Sequence, residues 1–567
     1  DTTTLTPIDE IIIGETVTVR GKLKGKGVLR RFSGRSSVTQ ILEDEQGAQL
    51  SCVWFNQPWM AKQISSSQVL LYGTVSRFKN GLQLVNPVVI KEQGILPVYK
   101  PIEGIGSNTL AGFIKEILNK KEETFEPFLN ETLLFQYQLM EKNQAIREAH
   151  APTEKMHLEK AIYTLQFEKL LLYQMAMETV KNKEDKSHPL LVPKKETSFF
   201  WGQVPFTPTE AQKNVLTKIK EDMEKTKPMN RLIQGDVGSG KTVVAFGALY
   251  FAVKAGFQGA MMAPTEILAR QHFENAKKLF DPLQISCGLL IGSMKEKEKR
   301  EARESIEAGQ WQIIIGTHAL IAQKVTYENL GLVITDEQHR FGVGQRTTLI
   351  QKGEEKHQQL LPHLLVMSAT PIPRTLALIL YGDLDISVID ELPAGRKAIS
   401  TRIVPEEKRR QMYGFIEKEV KKGNQAYIIC PLIEESEHLE NVKDVVTHYK
   451  YLKEGPFKNC RLGLAHGNQK NEEKAETLEA FSRGDTQILV ATTVVEVGVD
   501  VPNATIMVIE DAHRYGLSQL HQLRGRVGRG KKESWCFLLA EANQRLKTLV
   551  NSTDGFEIAQ KDLELRG

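Results

Sequence analysis

From Phe206 onward, short apolar runs rich in β-branched residues alternate with stretches of helical spacing, and this alternation narrows the fold most. The runs are RLIQG, GAMMAP, QIIIGT, LGLVITDE and LLVMSAT, then QAYIIC, QILVATT and ATIMVIE. A strand apolar on both sides has to be covered on both faces, as parallel strands flanked by helices are. The series divides near residues 391–397 (ELPAGRK). Two α/β domains in tandem are expected, with the cleft between them as the natural ligand site.

Residues 15–90 read differently. Val17 and Val19 alternate with polar neighbours, and Arg20, Lys22, Lys24 and Lys26 follow at every second position. Period-two spacing predicts these four cations on one face of a strand. Seven Lys or Arg and no acid stand between Arg20 and Arg35, and Arg30 and Arg31 within that strip are candidate nucleic-acid contacts. Turn signals at EDEQG and FKNG fit a small five-stranded barrel of the OB type. Residues 97–201 read as helical: Leu158, Ile162, Leu165, Leu172 and Met175 keep close to a 3.6-residue period. The run KNKEDKSHP (181–189) reads as a linker.

Composition sets bounds. At 567 residues the chain is too long for one core, and ~150 residues per domain suggests about three to five domains. Net charge is only +4, with 74 basic against 70 acidic residues, so overall charge does not decide for nucleic acid. Five scattered cysteines without a CxxC pair give no zinc site and no disulfide framework, which points to a reducing, cytoplasmic setting. No apolar run nears the ~20 residues that span a bilayer, so no membrane partner is expected. The opening DTTTLTPIDE has no signal-peptide pattern and no initiator Met, as in a piece of a longer chain.

Three segments carry chemistry. Residues 235–242 read GDVGSGKT, directly after the strand RLIQ and before an apolar helix. In this GxxxxGK[ST] pattern, backbone N–H groups of Gly235, Asp236, Val237, Gly238, Ser239 and Gly240 would close around the phosphates of ATP. Lys241 would reach the β and γ phosphates, and Thr242 would bind Mg2+. In LGLVITDEQH, Asp336 and Glu337 end an apolar strand. Asp336 is expected to hold the metal shell and Glu337 to polarise the attacking water. In QLHQLRGRVGRG, Arg524, Arg526 and Arg529 stand two and three residues apart. A basic surface turn would look the same, but one or two arginines entering the cleft would serve as fingers. Arg526 and Arg529 are the candidates.

In motif order these segments resemble helicase superfamily two, over residues 203–529. The resemblance makes Phe206 and Gln212, in PFTPTEAQ, the adenine-sensing pair. It places strand-gripping residues at Thr265 in APTEILA, Gly292 and Ser293 in LLIGS, and Thr317 and His318 in GTHAL. SATPIPRT resembles the coupling motif. ATTVVEVGVDVPNA resembles the next, with Thr492 towards DNA and Gly498 and Asp500 towards nucleotide. Within the superfamily, DEQHRFGVGQR, MSATPIPRTLAL and LSQLHQLRGRVGRG resemble the RecG family and its relative, the transcription-repair coupling translocase. A barrel and helices ahead of the motor resemble RecG, whose barrel is a wedge.

The resemblance implies an N-terminal OB-type barrel (1–96), a helical linker (97–200) and two tandem RecA-like parallel-sheet motor domains (201–395 and 396–545). Residues 546–567 would open a translocation motif that the family carries past LRG. It implies ATP and Mg2+ as cofactors and branched DNA, such as stalled forks and Holliday junctions, as substrate. A single-stranded DNA-binding protein would be a possible partner, and the protein would be a monomer. In VWFNQPWM, Phe55 and Trp59 resemble wedge aromatics that stack on bases, whereas all three aromatics there, Trp54 included, would equally suit a barrel core. Two alternatives stay open: the coupling translocase, and a branched-DNA binding module with a silent ATPase fold.

Overall fold

The computed structural model describes residues 2–566 apart from 33–34, 64–67, 79–80, 91–93, 101, 121–124, 182–185, 338–347, 351, 353–359, 369–375, 377–383, 392, 394–397, 432–437, 493–500, 529 and 531. The chain forms two compact units, Asp1–Met175 and Ala176–Gly567.

In the first unit, β1 (Thr16–Phe32), β2 (Arg35–Glu43), β3 (Gln49–Phe55), β4 (Gln68–Phe78) and β5 (Gly81–Ile90) close into a barrel in the order β1-β2-β3-β5-β4. β1 returns to β4, and only β3 and β5 run parallel. Val19 and Leu23 point into the core with Val38, Leu50 and Leu84, while Arg20, Lys22, Lys24 and Lys26 are exposed, as alternation requires. A bulge nevertheless falls within this stripe. The β1–β2 register shifts between Lys24 and Val28, where Gly25 turns to φ 71° and its carbonyl accepts from Gln40 Nε2 at 2.7 Å. Lys22 and Lys24 lie beside Glu43, and Lys24 forms an ion pair with it. The hydrogen bonds from Lys24 and Gln49 hold the Glu43 carboxyl below its ordinary range.

The helical signal is realised as α1 (Lys155–Lys181), but its apolar stripe is not the buried face. Ala161, Thr164 and Glu168 are buried, while Ile162, Leu172 and Met175 are exposed. Polar contacts choose that face: Met140 N donates to Thr164 Oγ1 at 2.9 Å, and Lys142 pairs with Glu168 at 2.7 Å.

The second unit holds two lobes. The first has seven parallel strands: β6 (Asn230–Gly235), β7 (Gln258–Met262), β8 (Cys287–Leu290), β9 (Ile313–Gly316), β10 (Leu330–Thr335), β11 (His363–Ser368) and β12 (Asp385–Ile389), ordered β12-β6-β11-β10-β7-β9-β8. Its strands are apolar on both sides because successive residues feed two cores. Ile233, Met261 and Ile334 pack on one face, and Leu232, Ala260 and Val333 on the other. The second lobe repeats the scheme with β13 (Ser400–Val404), β14 (Gln425–Ile429), β15 (Leu462–Ala465), β16 (Ile488–Ala491), β17 (Ala504–Ile509) and β18 (Trp535–Leu539), ordered β13-β18-β17-β14-β16-β15. The division near residues 391–397 falls between β12 and β13. The 181–189 run is more than a tether: Ser187 is buried, and its N donates to Thr226 O at 2.7 Å.

Candidate active site and nucleic-acid contacts

The phosphate loop links β6 to α3 (Lys241–Lys254), with α2 (Glu210–Met223) beside it. Thr209 caps α2 and accepts from Gln212 N at 3.2 Å, while Gln212 Oε1 accepts from Thr209 N at 3.0 Å. That reciprocal cap leaves the Gln212 amide nitrogen free to donate to Ser239 O at 2.7 Å. Gly240 has to be glycine here. Its φ is 87°, and a Cβ would stand 2.2 Å from Gln212 Nε2. Gly235 ends β6 and Gly238 stands in the turn that follows, Ser239 is buried, and Thr242 is half-buried. Lys241 is buried, its Nζ donating to Gly235 O at 2.7 Å and Asp236 O at 2.9 Å. Phe206 is exposed upstream of Gln212.

Asp336 directly follows β10 and is fixed by His272, on α4 (Glu266–Phe280), whose Nε2 lies 2.9 Å from Asp336 Oδ2. Burial opposes ionisation of Asp336, but the His272 hydrogen bond and the Lys241 charge prevail and hold its carboxyl below the ordinary range. Glu337 takes φ 53°, the left-handed region, which costs a non-glycine residue roughly 1–2 kcal/mol.

From the second lobe, α5 (Leu517–Arg524) reaches the phosphate loop: His521 Nε2 lies 2.7 Å from Asp236 Oδ1. Asp236 is also held below the ordinary range, burial opposing and the His521 hydrogen bond leading the opposite effect. Val237 meets Gly525 across the same contact. Arg526 follows and is buried. Arg524, the remaining arginine of the run, turns to a different task, its Nη1 donating to Leu549 O at 2.6 Å and Ser552 O at 2.8 Å. Arg529, Gly498 and Asp500 lie outside the described residues, as do residues 338–347 and 369–375 of the motif strings.

The expected strand-gripping residues of the first lobe gather at the carboxyl ends of β7, β8 and β9, on the opposite half of the sheet from β6. Thr265 caps α4; the next residue, Glu266, accepts from Ser293 N at 2.8 Å and stands 3.1 Å from where a Gly292 Cβ would be. His318 is exposed and Thr317 buried. In the second lobe Thr492 is buried after β16, its N donating to Ala465 O at 3.2 Å.

On the barrel, Trp54 is core: it is fully buried and its Nε1 donates to Pro87 O at 2.7 Å. Phe55 and Trp59 are 46% and 56% exposed. Register aligns Arg30 with Ser37 and Ser37 with Phe55, which puts a cation and an aromatic on one outer face. Arg31 is exposed beside Arg30.

Sequence reasoning missed His272 and His521. The signal available was position alone: His521 sits in QLHQLRGRVGRG and His272 three residues past APTEILA, but their aspartates are 285 and 64 residues away.

Two parallel-sheet lobes, with a phosphate loop on one and an arginine-bearing turn of the other set against it, define an ATP-driven helicase motor. Residues 209–379 match the DEAD/DEAH box helicase model and 407–531 the helicase conserved C-terminal domain, while 1–120 match the RecG wedge domain. The ATP-dependent DNA helicase RecG of Thermotoga maritima is 42% identical over 99% of this chain and 73% of its own length. That of Bacillus subtilis is 42% identical over 99% and 83%. A solved structure of RecG bound to three-way DNA junction covers all of this chain and 77% of its own, at 38% identity and TM-score 0.71. The chain belongs to the RecG family of ATP-dependent DNA helicases. The wedge match settles the alternatives in favour of RecG over the coupling translocase. Among the described residues no helix is long and apolar enough to cross a membrane.

Proposed function

We propose that the chain hydrolyses ATP between its lobes and turns the cycle into movement along duplex DNA, driving the barrel against a branch point. Stalled forks and Holliday junctions are then the substrates, and fork regression and branch migration the outcome in repair and recombination. The observation that carries this is an exposed Phe55 sharing one outer face with Arg30, with Trp59 also exposed four residues on, on a barrel within the same chain as a phosphate loop. An exposed base stacked on an aromatic contributes roughly 1–3 kcal/mol without sequence readout, which suits recognition by shape. The RecG relative solved on a three-way junction supports the same reading.

In this reading Phe206 and Gln212 receive adenine, and the 235–242 loop wraps the phosphates. Lys241 steadies the β and γ groups. Glu337 orients the water that attacks the γ phosphorus as the bond to the bridging oxygen breaks, giving ADP and phosphate. Arg526 and Arg529 neutralise the charge that spreads over the transferring group. Gly498 and Asp500 complete the nucleotide side. Thr265, Gly292, Ser293, Thr317, His318 and Thr492 grip DNA. The Thr242 hydroxyl and ionised Asp336 are hard oxygen donors that suit Mg2+, which would supply Lewis acidity at the phosphate oxygens.

The domain bounds 1–96, 97–200, 201–395, 396–545 and 546–567 belong to the proposal. So do a monomeric state, a single-stranded DNA-binding protein as partner and a cytoplasmic location. ATP turnover measured with a three-way fork, linear duplex and no DNA tests it. The fork should stimulate most; equal rates with and without DNA would refute it.

A further inference from the structure

We infer that His521 is a positioning residue that clips the finger-bearing turn of the second lobe onto the phosphate loop of the first. The inference rests on the ATPase reading above.

His521 lies within α5, buried, with both ring nitrogens engaged. Nδ1 faces Arg524 Nη2 at 2.8 Å. A guanidinium can only donate, so Nδ1 has to be the acceptor. The ring proton therefore sits on Nε2 and is donated to Asp236 Oδ1 at 2.7 Å. Arg524 thus fixes the tautomer as well as the ring plane. Arg524 is itself anchored by the carbonyls of Leu549, in α6 (Gln544–Asn551), and Ser552, just before α7 (Gly555–Arg566). One unbroken series of hydrogen bonds joins the phosphate loop to the C-terminal helices.

A second contact makes the clip geometric. A Cβ on Gly525 would come within 2.9 Å of Val237 Cβ, so the backbone after α5 lies directly on the loop. Asp236 and Val237 therefore meet His521 and Gly525 as two adjacent pairs. Arg526 is the next residue, so the clip sets where it stands relative to the phosphates. A displacement of about 1 Å at a reacting centre costs on the order of 10²-fold in rate, so a residue that touches no nucleotide can still govern turnover.

The test uses the full-length protein. His521→Leu keeps apolar bulk and removes both hydrogen bonds. His521→Gln restores a donor for Asp236 and an acceptor for Arg524. DNA-stimulated kcat in His521→Leu should fall about tenfold or more, with KM for ATP within about threefold, because a finger acts in the transition state. His521→Gln should recover most of the rate. Arg526→Ala combined with His521→Leu should be no slower than Arg526→Ala alone, since both losses pass through one group. The inference is overturned by normal kcat in His521→Leu, by failure of glutamine to rescue, or by losses that multiply. Unaltered protein without DNA-stimulated turnover would sink the ATPase reading itself, and this inference with it.

Discussion

The phosphate loop and the barrel rim use side chains in opposite ways. At the loop, Gln212, Lys241, Asp236 and Asp336 each have named partners, and Gln212 and Lys241 are buried. At the rim, Phe55 and Trp59 are exposed, and Phe55 shares an outer face with Arg30. Chemistry on a phosphate needs donors held before the substrate arrives, since reorganising them in the transition state would cost rate. Stacking on a base needs only an accessible ring and a rigid scaffold. The loop is therefore fragile to single substitutions, and the rim tolerant in fold but not in binding.

The largest effect should come from Lys241→Ala, which ought to lower ATP turnover by about 10²-fold or more, the scale of losing a prepared electrostatic contact. Fork affinity, measured by anisotropy, should stay within about threefold because the rim is untouched; a parallel loss of fork binding would erase the distinction. Next is Trp54→Ala, a core truncation expected to cost roughly 3–5 kcal/mol of barrel stability in urea unfolding. A loss comparable to that of Phe55→Ala would mean that rim and core are not separate.

Acid provides a third probe, because residues 16–90 contain no histidine whereas β11 of the motor begins with His363. Burial pushes the His363 imidazole down to about 4, against 6.5 ordinarily, between Met229 N at 3.0 Å and His188 O at 2.9 Å. A depressed folded value means the unfolded chain binds the proton first. Stability is whole above pH 6.5 and drains as pH falls towards 4. By pH 5 the motor should lose about 2 kcal/mol, at about 1.4 kcal/mol per unit. Hydrogen exchange should see this in the motor strands and not in the barrel; His363→Gln should flatten the slope.

The smallest effect should be Phe55→Ala. It should weaken fork binding by about 1–3 kcal/mol and change barrel stability by less than about 1 kcal/mol. A loss confined to stability would return Phe55 to the core.

What the sequence made legible was local. GDVGSGKT names its own turn because the glycines, lysine and following helix are contiguous. The two lobes were legible because a strand buried on both faces leaves a run that is apolar throughout. Contacts between distant segments left no pattern. His272 and His521 depend on aspartates far along the chain, and Arg524 looks like its neighbours until its carbonyl partners are seen. The bulge after Lys24 left no trace in spacing that reads as one continuous strand. The apolar period of α1 was real, but a threonine and a glutamate chose the buried side.

Closure of the barrel has a consequence for handling as well as for recognition. Each of its five strands has a neighbour on both sides, because β1 pairs with β4 as well as β2. An open sheet of this size would present a row of unsatisfied N–H and C=O groups along its margin, a template on which foreign strands assemble. Closure shortens that margin, since β1 pairs with β4 over Thr16–Lys22 and with β2 over Lys22–Phe32. The barrel can hold out bare aromatic rings while offering less flank on which fibrils could nucleate.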